Sequence, residues 1–279
     1  MNDIFGAKKP HDEEFLSIRD SPDYEEIRDY INLLWSQFHT LADSHFINEI
    51  GKQFHRRYWE MYLACALKNT GMDLSSEDSG PDLCVKNNES SIWVEAIAPT
   101  NGEGPDAVPP PARNGIAEEV PEEQVIFRLR NAIETKFGKY LKYLEEGTIS
   151  HSAPYIIAVN GNKISHAQIT SRPSIIEKSV YPLGANIAVY SLKEKKLTNW
   201  EIEHRPEIIK KSKSTVTTTV FEDKKYEGIS AIIYSNTSVW NRKRDDSLGE
   251  DFLLLHNPLA LNPISNDWLK VGDEIKQNI

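Results

Sequence analysis

Two acidic residues, Asp82 and Glu95, stand where their spacing allows them to share a metal ion. Asp82 directly precedes the apolar run Leu83 to Val85, and Glu95 lies inside the apolar run Ile92 to Ala98. The polar segment 86–90 between the runs predicts a β-hairpin. Because paired strands bring residues near a turn close together, both carboxylates can reach one hard cation, Mg²⁺ or Mn²⁺. The spacing therefore predicts a divalent-metal site at Asp82 and Glu95.

Each carboxylate also has an ordinary structural interpretation. Asp82 follows Ser79-Gly80-Pro81, and aspartate is common in such turns. Glu95 is harder to explain in this way, since a glutamate within an apolar strand is costly to bury without a cation or a hydrogen-bond donor. Glu95 therefore indicates a polar site, whereas the turn interpretation of Asp82 stays open.

The elements that must position these residues follow from the periodicity of the apolar residues. Apolar residues at helical spacing predict helices at Pro22 to about Leu41, Ile47 to about Asn69 and Glu122 to about Glu145. The continuous apolar run Pro154 to Val159 predicts a buried central strand. Later apolar runs predict strands at Ile187 to Leu192, Thr215 to Phe221, Ile229 to Tyr234 and Phe252 to His256.

This order of elements predicts an α/β fold with a mixed central sheet flanked by helices. We expect an N-terminal helical segment at 1–46, a core at 47–165 and a β-rich C-terminal extension at 166–279, which packs on the same domain. The segment 99–115 is dense in Pro and Gly, which predicts an irregular loop that closes over the site.

The dipeptide Pro81-Asp82, the downstream Glu95 and the order helix, hairpin, helix, strand resemble the PD-(D/E)XK nuclease superfamily over roughly residues 50–160. The resemblance implies a restriction-endonuclease-like core. In that superfamily two carboxylates hold Mg²⁺, a lysine beside the second carboxylate positions or deprotonates the attacking water, and a glutamate from the preceding helix often contributes. The resemblance therefore implies metal ligands at Asp82, Glu95 and Glu60, in a divalent-metal-dependent nuclease that acts on DNA or RNA.

The sequence departs from the superfamily pattern at one position, because Ile97 stands where the lysine is expected. Lys136 lies on the apolar face of the next predicted helix, and we interpret it as a migrated lysine. Gln124 and Arg128, at the start of that helix, are predicted to contact substrate. Two alternatives stay open: the stem of Lys136 can lie along an apolar surface with its charge in water, and Glu60 can be an ordinary solvated helix residue.

The composition is that of an ordinary globular protein, with 39% hydrophobic and 27% charged residues and a net charge of −10. Residues 1–139 hold 14 Lys and Arg against 25 Asp and Glu, whereas residues 140–279 hold 18 against 17. Because non-specific affinity for nucleic acid comes mainly from Lys and Arg on phosphates, a nucleic-acid partner must bind through metal ions or local basic clusters. Two such clusters are residues 210–213 and 242–244.

The sequence also indicates the compartment of the protein. It has no apolar stretch of the ~18–20 residues that a membrane span requires, and its first residues contain no apolar signal core. We therefore expect a cytoplasmic protein without a membrane partner. Cys65 and Cys84 both lie in apolar patterns, which favours two buried free thiols over a disulfide.

Several enzyme classes are excluded by missing motifs. The sequence contains neither a P-loop, nor the G-x-S-x-G of α/β-hydrolases, nor histidine and cysteine at zinc-binding spacing. A metal-dependent nuclease is the first hypothesis. The alternative is a catalytically degenerate nuclease fold that serves as a binding or scaffold protein, and a third is an unrelated α/β protein with coincidental carboxylates. Enzymes that cut both strands often act as dimers, so a homodimer is expected by analogy.

Overall fold

The computed structural model describes residues 3–77, 79–87, 90–112, 116–169, 172–242 and 247–276. The helices are α1 (Glu13–Asp20), α2 (Glu25–Phe38), α3 (Phe46–Ile50), α4 (Phe54–Asn69), α5 (Glu122–Glu145) and α6 (Glu177–Val180). The strands are β1 (Asp73–Ser75), β2 (Leu83–Asn87), β3 (Ser90–Ile97), β4 (Tyr155–Asn160), β5 (Leu183–Ser191), β6 (Lys196–His204), β7 (Glu207–Ile209), β8 (Thr215–Thr217), β9 (Ala231–Ser235), β10 (Leu253–His256) and β11 (Asp273–Ile275).

A mixed sheet of seven strands, in the order β1-β2-β3-β4-β9-β10-β11, forms the centre of the fold. Strands β1, β2 and β3 are successively antiparallel, β3, β4 and β9 run parallel, and β10 is antiparallel to β9. The predicted α/β class with a mixed central sheet flanked by helices is confirmed, as is the hairpin of β2 and β3. Residues 88–89 of its predicted turn lie outside the described part of the chain.

Helices cover both faces of the sheet, and the alternation of side chains along each strand assigns residues to one face or the other. Val94 and Ile156 belong to the apolar cluster formed with α1 to α4. Trp93 and Ile157 belong to the second cluster, which includes the buried face of α5. Because both faces are covered, every residue of β4 is buried, which explains its uninterrupted apolar sequence.

The helix predicted for Ile47 to Asn69 is in fact two helices, α3 and α4, separated by residues 51–53. The Gly51 carbonyl accepts hydrogen bonds from the backbone N–H groups of His11 and Asp12. A Cβ on Gly51 would lie 2.7 Å from that of Ala7. The N-terminal segment therefore packs directly against the break, and the Asp12 carboxylate accepts from the N–H of Phe54, the first residue of α4.

The strands predicted after residue 180 only partly join the sheet. The runs Ile229 to Tyr234 and Phe252 to His256 correspond to β9 and β10 in the sheet. The run Ile187 to Leu192 instead falls in β5 as far as Ser191, and β5 pairs with β6 in a separate ribbon. The run Thr215 to Phe221 is a strand only as far as Thr217. Such short or exposed strands lack the buried face that defines a sheet strand in a sequence.

The two cysteines and the apolar character of the helices were also subjects of prediction. Cys65 and Cys84 are both free and buried, so the prediction of two buried thiols is confirmed. Among the helices in the described residues, none has the length and apolar character needed to span a membrane.

Candidate functional site

The two carboxylates of the hairpin lie opposite each other. Leu83 of β2 pairs with Val94 of β3, and the same antiparallel register places Asp82 opposite Glu95. Directly opposite residues project to the same face of a sheet, here the face covered by α5. The backbone N–H of Ala96 donates to Oδ2 of Asp82 at 2.7 Å, so the Asp82 side chain is tied across the hairpin to the strand that carries Glu95.

Glu95 is completely buried and is surrounded by donors from α5. The ammonium groups of Lys136 and Lys139 both bind Oε1 of Glu95, that of Lys139 at 2.9 Å. The Tyr143 hydroxyl donates to Oε2 at 3.3 Å and lies 3.1 Å from the Gly80 carbonyl oxygen. Positions 136, 139 and 143 are one turn or two apart, so a single face of α5 supplies all three groups.

Lys136 is therefore placed beside Glu95 although it comes from a different element. Ile97 lies two residues after Glu95 on β3, and so on the same face of the sheet, where it is partly buried. The Lys136 side chain, only 4% exposed, extends from α5 and binds the Glu95 carboxylate. The structure thus brings a lysine to the carboxylate that the sequence pattern leaves without one. The alternative of a Lys136 charge in open water is wrong.

Glu60 extends from α4 toward the same end of the hairpin, where it forms an ion pair with Arg57 at 2.9 Å. Arg57 also binds Asp43 at 3.2 Å. Burial and the nearby Asp82 carboxylate raise the pKa of Glu60 to about 7, and Arg57 offsets this effect only in part. The Glu60 side chain is 12% exposed, so its interpretation as a solvated helix residue is wrong.

The electrostatics of Asp82 and Tyr143 reflect the same crowding of negative charge. Burial and the Glu95 carboxylate raise the pKa of Asp82, while Lys136 opposes the rise. Burial and Glu95 also raise the pKa of Tyr143 to about 12, so its hydroxyl remains a donor near neutral pH. A carboxyl group whose pKa is raised by a neighbouring carboxylate, as that of Asp82 is by Glu95, is stabilised in its ionised form by an added cation.

Two cavities adjoin the site. The smaller, of about 270 Å³, lies between α4, the Gly80 turn and α5, and its charged lining residues are Asp43, Arg56, Arg57, Glu60, Glu77, Asp82 and Lys139. The larger, of about 840 Å³, lies beyond the C-terminal end of β3, and its basic lining residues are Lys52, Arg56, Arg128, Lys136, Lys139 and Lys163. Arg56 and Lys139 border both cavities, so the carboxylates lie beside a larger, mostly cationic cleft.

The two predicted substrate contacts differ in their placement. Arg128 lines the larger cavity, and its guanidinium donates to the Thr100 carbonyl at 2.8 Å. Gly102 has φ +78°, and a Cβ there would lie 2.7 Å from the guanidinium, so glycine gives Arg128 its path across the loop. Gln124 is partly buried and lines neither of these two cavities.

The loop predicted to close over the site is held in place where the structure describes it. Asn101 exchanges hydrogen bonds with Ser165 at 2.6 and 3.0 Å, and the buried Val108 donates to the Asn101 carbonyl. Pro99 and Thr100 form part of the wall of the larger cavity. The first part of the loop thus forms a wall of the larger cavity, and residues 113–115 lie outside the described residues.

Lys139, Tyr143 and Arg57 are site residues that the sequence analysis missed. Lys139 and Tyr143 follow Lys136 at helical spacing, and Arg57 precedes Glu60 by one turn. The sequence therefore held a signal for all three residues, namely their helical spacing from Lys136 or from Glu60. Of the two basic clusters, Lys211 is near the loop through its N–H bond to Asp106, whereas Lys243 and Arg244 lie outside the described residues.

The site offers carboxylate oxygens, the ligand type that a hard divalent cation prefers, but these oxygens are shared with cations of the chain. Oε1 of Glu95 binds two lysines, while Oε2 accepts one long bond from Tyr143. Oδ1 of Asp82 has no hydrogen bond to the part of the chain that the structure describes. Within those residues, no group of three or more His, Cys, Asp and Glu is arranged to hold a metal. Two carboxylate oxygens with free acceptor capacity thus lie on one face.

The chain matches no protein-family model, no curated protein and no solved structure. The chemistry of the site therefore follows from its own residues and their geometry.

Proposed function

We propose that the protein is a Mg²⁺- or Mn²⁺-dependent nuclease of the PD-(D/E)XK type. The observation that carries this proposal is the placement of Asp82 opposite Glu95 with Lys136 bound to Glu95. The order α4, the β2–β3 hairpin, α5 and β4 agrees with the helix, hairpin, helix, strand order of a restriction-endonuclease-like core. On this proposal the α/β fold is a restriction-endonuclease-like core, and the reaction is the hydrolysis of a phosphodiester.

Asp82 and Glu95 would hold the cation, with Glu60 as a further carboxylate at the margin of the site. The chemistry supplied by a divalent ion held by these residues would be a lowered pKa of water and compensation of the charge that develops on a phosphate. Lys136 would orient the attacking water and stabilise the negative charge of the transition state. Lys139 and Tyr143 hold the Glu95 carboxylate in a fixed orientation.

The larger cavity provides the binding surface for a polyanion. Six basic residues line it, against the acidic residues Asp12, Glu13 and Glu14. Glu14 pairs with one of these basic residues, Lys163, at 2.7 Å, and Lys136 and Lys139 share the Glu95 carboxylate, so six basic groups face four acidic ones. The balance at this cleft is therefore cationic in a chain of net charge −10, which agrees with local binding of phosphates.

The proposal is tested with Asp82→Asn, which removes one carboxylate charge and keeps the shape of the side chain. Calorimetric titration with Mn²⁺ should show binding to wild type and a loss of at least about tenfold in affinity for the variant. Cleavage of mixed DNA and RNA substrates in Mg²⁺ should be lost in parallel. Asp73→Asn, which changes an exposed aspartate on β1, is the matched control and should behave as wild type. Absence of Mn²⁺ binding in wild type would refute the metal site.

The raised pKa of Glu60 predicts a pH-dependent metal affinity. Below about pH 7 Glu60 is protonated, and a proton must leave before its carboxylate can support a cation. Mn²⁺ affinity should therefore fall as the pH is lowered from 8 to 6, by up to about tenfold per unit below the pKa. Calorimetry in buffers of different ionisation enthalpy should show proton release near pH 6.5. In Glu60→Gln this pH dependence should flatten, and an unchanged slope would remove Glu60 from the site.

A second candidate function is nucleic-acid binding without cleavage by a catalytically degenerate nuclease fold. The specific observation that favours it is the binding of both Lys136 and Lys139 to Glu95, which leaves the carboxylate already neutralised. This candidate predicts affinity for nucleic acid that depends on Arg128 and Lys163 but no cleavage in Mg²⁺ or Mn²⁺. Substrate cleavage that is lost in Asp82→Asn decides between the two functions in favour of the nuclease.

A further inference from the structure

A two-stranded ribbon, β5 and β6, stands apart from the central sheet. Within the residues that the structure describes, its strands pair only with each other. All nine residues of β6 are exposed, and in β5 only Gly184 is buried. The described contacts to the body lie at the base, where Arg205 donates to the Pro182 carbonyl at 2.8 Å and Asn186 to the Arg172 carbonyl at 2.5 Å.

One face of this ribbon is apolar although it is open to solvent. Ala188 pairs with Trp200 and Asn186 with Ile202 in one antiparallel register. The register shifts by one residue between Val189 and Tyr190, and beyond this irregularity Tyr190 pairs with Leu197. Directly opposite residues share a face, and alternate residues along a strand do so as well. The ribbon face is therefore defined by Ala188, Tyr190, Leu197, Trp200 and Ile202. The opposite face carries the pairs Ile187–Glu201 and Val189–Asn199 and is more polar.

The exposed apolar area of the ribbon face is large for a monomer. Trp200 is 62% exposed, Tyr190 55%, Ile202 49% and Leu197 47%. With Leu192 at the tip, these side chains present on the order of 600 Å² of apolar surface. This is at or above the largest apolar patch of an ordinary soluble monomer, and it approaches the roughly 800 Å² that each partner of a stable dimer buries.

The charges of the ribbon favour a second copy of this chain over nucleic acid as the partner. Residues 183–204 contain three lysines, 193, 195 and 196, and three glutamates, 194, 201 and 203. A neutral surface gains little from phosphates, but it is compatible with its own copy. A two-fold arrangement brings the same apolar face against itself, as self-complementary dimer interfaces require. An isolated two-stranded ribbon is at best marginally stable in water, so contact with a second ribbon also stabilises each one.

We propose that the apolar face of the β5–β6 ribbon joins two copies of the chain into a two-fold dimer. Trp200 is the central contact, because it is the largest side chain of the face and sits beside Ala188, which leaves space for a partner side chain. Tyr190, Leu197 and Ile202 surround it. The interface uses none of the residues near Asp82 and Glu95, so it holds whether or not the chain cleaves nucleic acid.

The test is sedimentation of the full chain over a concentration series in the presence of EDTA. Wild type should associate to twice 31.8 kDa, and Trp200→Glu should raise the dissociation constant by at least about 30-fold. The matched control is Leu261→Glu, since Leu261 is also 62% exposed but lies outside the ribbon; it should dimerise as wild type. Trp200→Ser serves as a milder second variant, and circular dichroism with thermal melting verifies that each variant is folded.

Three results would overturn the dimer interface. The first is a wild-type chain that stays monomeric at every concentration tested. The second is a dimer that survives Trp200→Glu and Trp200→Ser unchanged in folded protein. The third is a monomer whose affinity for DNA or RNA is lost in both Trp200 variants but kept in Leu261→Glu, which would assign the ribbon to nucleic acid instead.

Discussion

Replacing Lys136 with methionine should lower the rate of metal-dependent cleavage by about 10²- to 10³-fold, the usual effect of removing one preorganised donor from a transition state. Methionine keeps the length of the apolar stem, so the packing of α5 is largely preserved. The Lys136 ammonium is buried and bound to Glu95, and its charge acts in a site from which water is largely excluded. The affinity for Mn²⁺ should be no weaker than in wild type, because the variant keeps every carboxylate.

The matched variant is Lys139→Met, on the same helix and bound to the same oxygen of Glu95. The side chain of Lys139 is 46% exposed, so its charge is screened by solvent and should contribute less to the reaction. Cleavage by this variant should fall by less than about tenfold. Single-turnover rates at saturating Mg²⁺ separate the two lysines. Equal rates for Lys136→Met and wild type would eliminate the migrated-lysine role.

The second large effect concerns stability. Glu95→Gln should reduce the free energy of unfolding by about 3–5 kcal/mol, because the variant leaves the buried Lys136 charge without its counter-ion. Lys139, which is half exposed, can turn toward water, but Lys136, with a side chain 4% exposed, cannot. The double variant Glu95→Gln with Lys136→Met removes both charges and should recover most of the loss.

Urea unfolding of the four proteins in a double-mutant cycle measures the coupling between Glu95 and Lys136. Glu146→Gln is the control, since Glu146, at the C-terminal end of the same helix, forms an exposed ion pair with Lys142 at 3.6 Å. An exposed pair of this kind contributes about 1 kcal/mol or less. A double variant as unstable as Glu95→Gln would show that the cost arises from packing and not from the unpaired charge.

These two predictions together separate the structural role of the site from its proposed chemistry. A strong coupling between Glu95 and Lys136 is expected for both the nuclease and the degenerate fold, because it depends only on burial. The loss of cleavage in Lys136→Met is expected for the nuclease alone. A chain with strong coupling and no cleavage therefore belongs to the second candidate function, in which the ion pair replaces the metal as the counter-charge of Glu95.

The sequence by itself determined the parts of the fold whose apolar pattern is regular. The hairpin of β2 and β3, helix α5 and the buried strand β4 agree with their predicted ranges to within a few residues. Each has a buried face with period 2 or 3.6, or two buried faces, which leaves a clear pattern of residue types. The pairing of Asp82 with Glu95 follows from the same local register, because a hairpin is formed by residues close in sequence.

Only the tertiary structure decided which groups from other elements meet this hairpin. Lys139 and Tyr143 reach Glu95 because α5 packs across the sheet beside β3, and Glu60 comes near Asp82 because α4 lies at the same end of the hairpin. Neither of these contacts between separate elements is encoded in the local periodicity of the sequence. The break at Gly51 likewise arises from the packing of the N-terminal segment. Of the ribbon, β6 was not predicted, because it is exposed along its whole length and has no buried face to reveal it. Long-range packing, which no local pattern records, therefore completes the site.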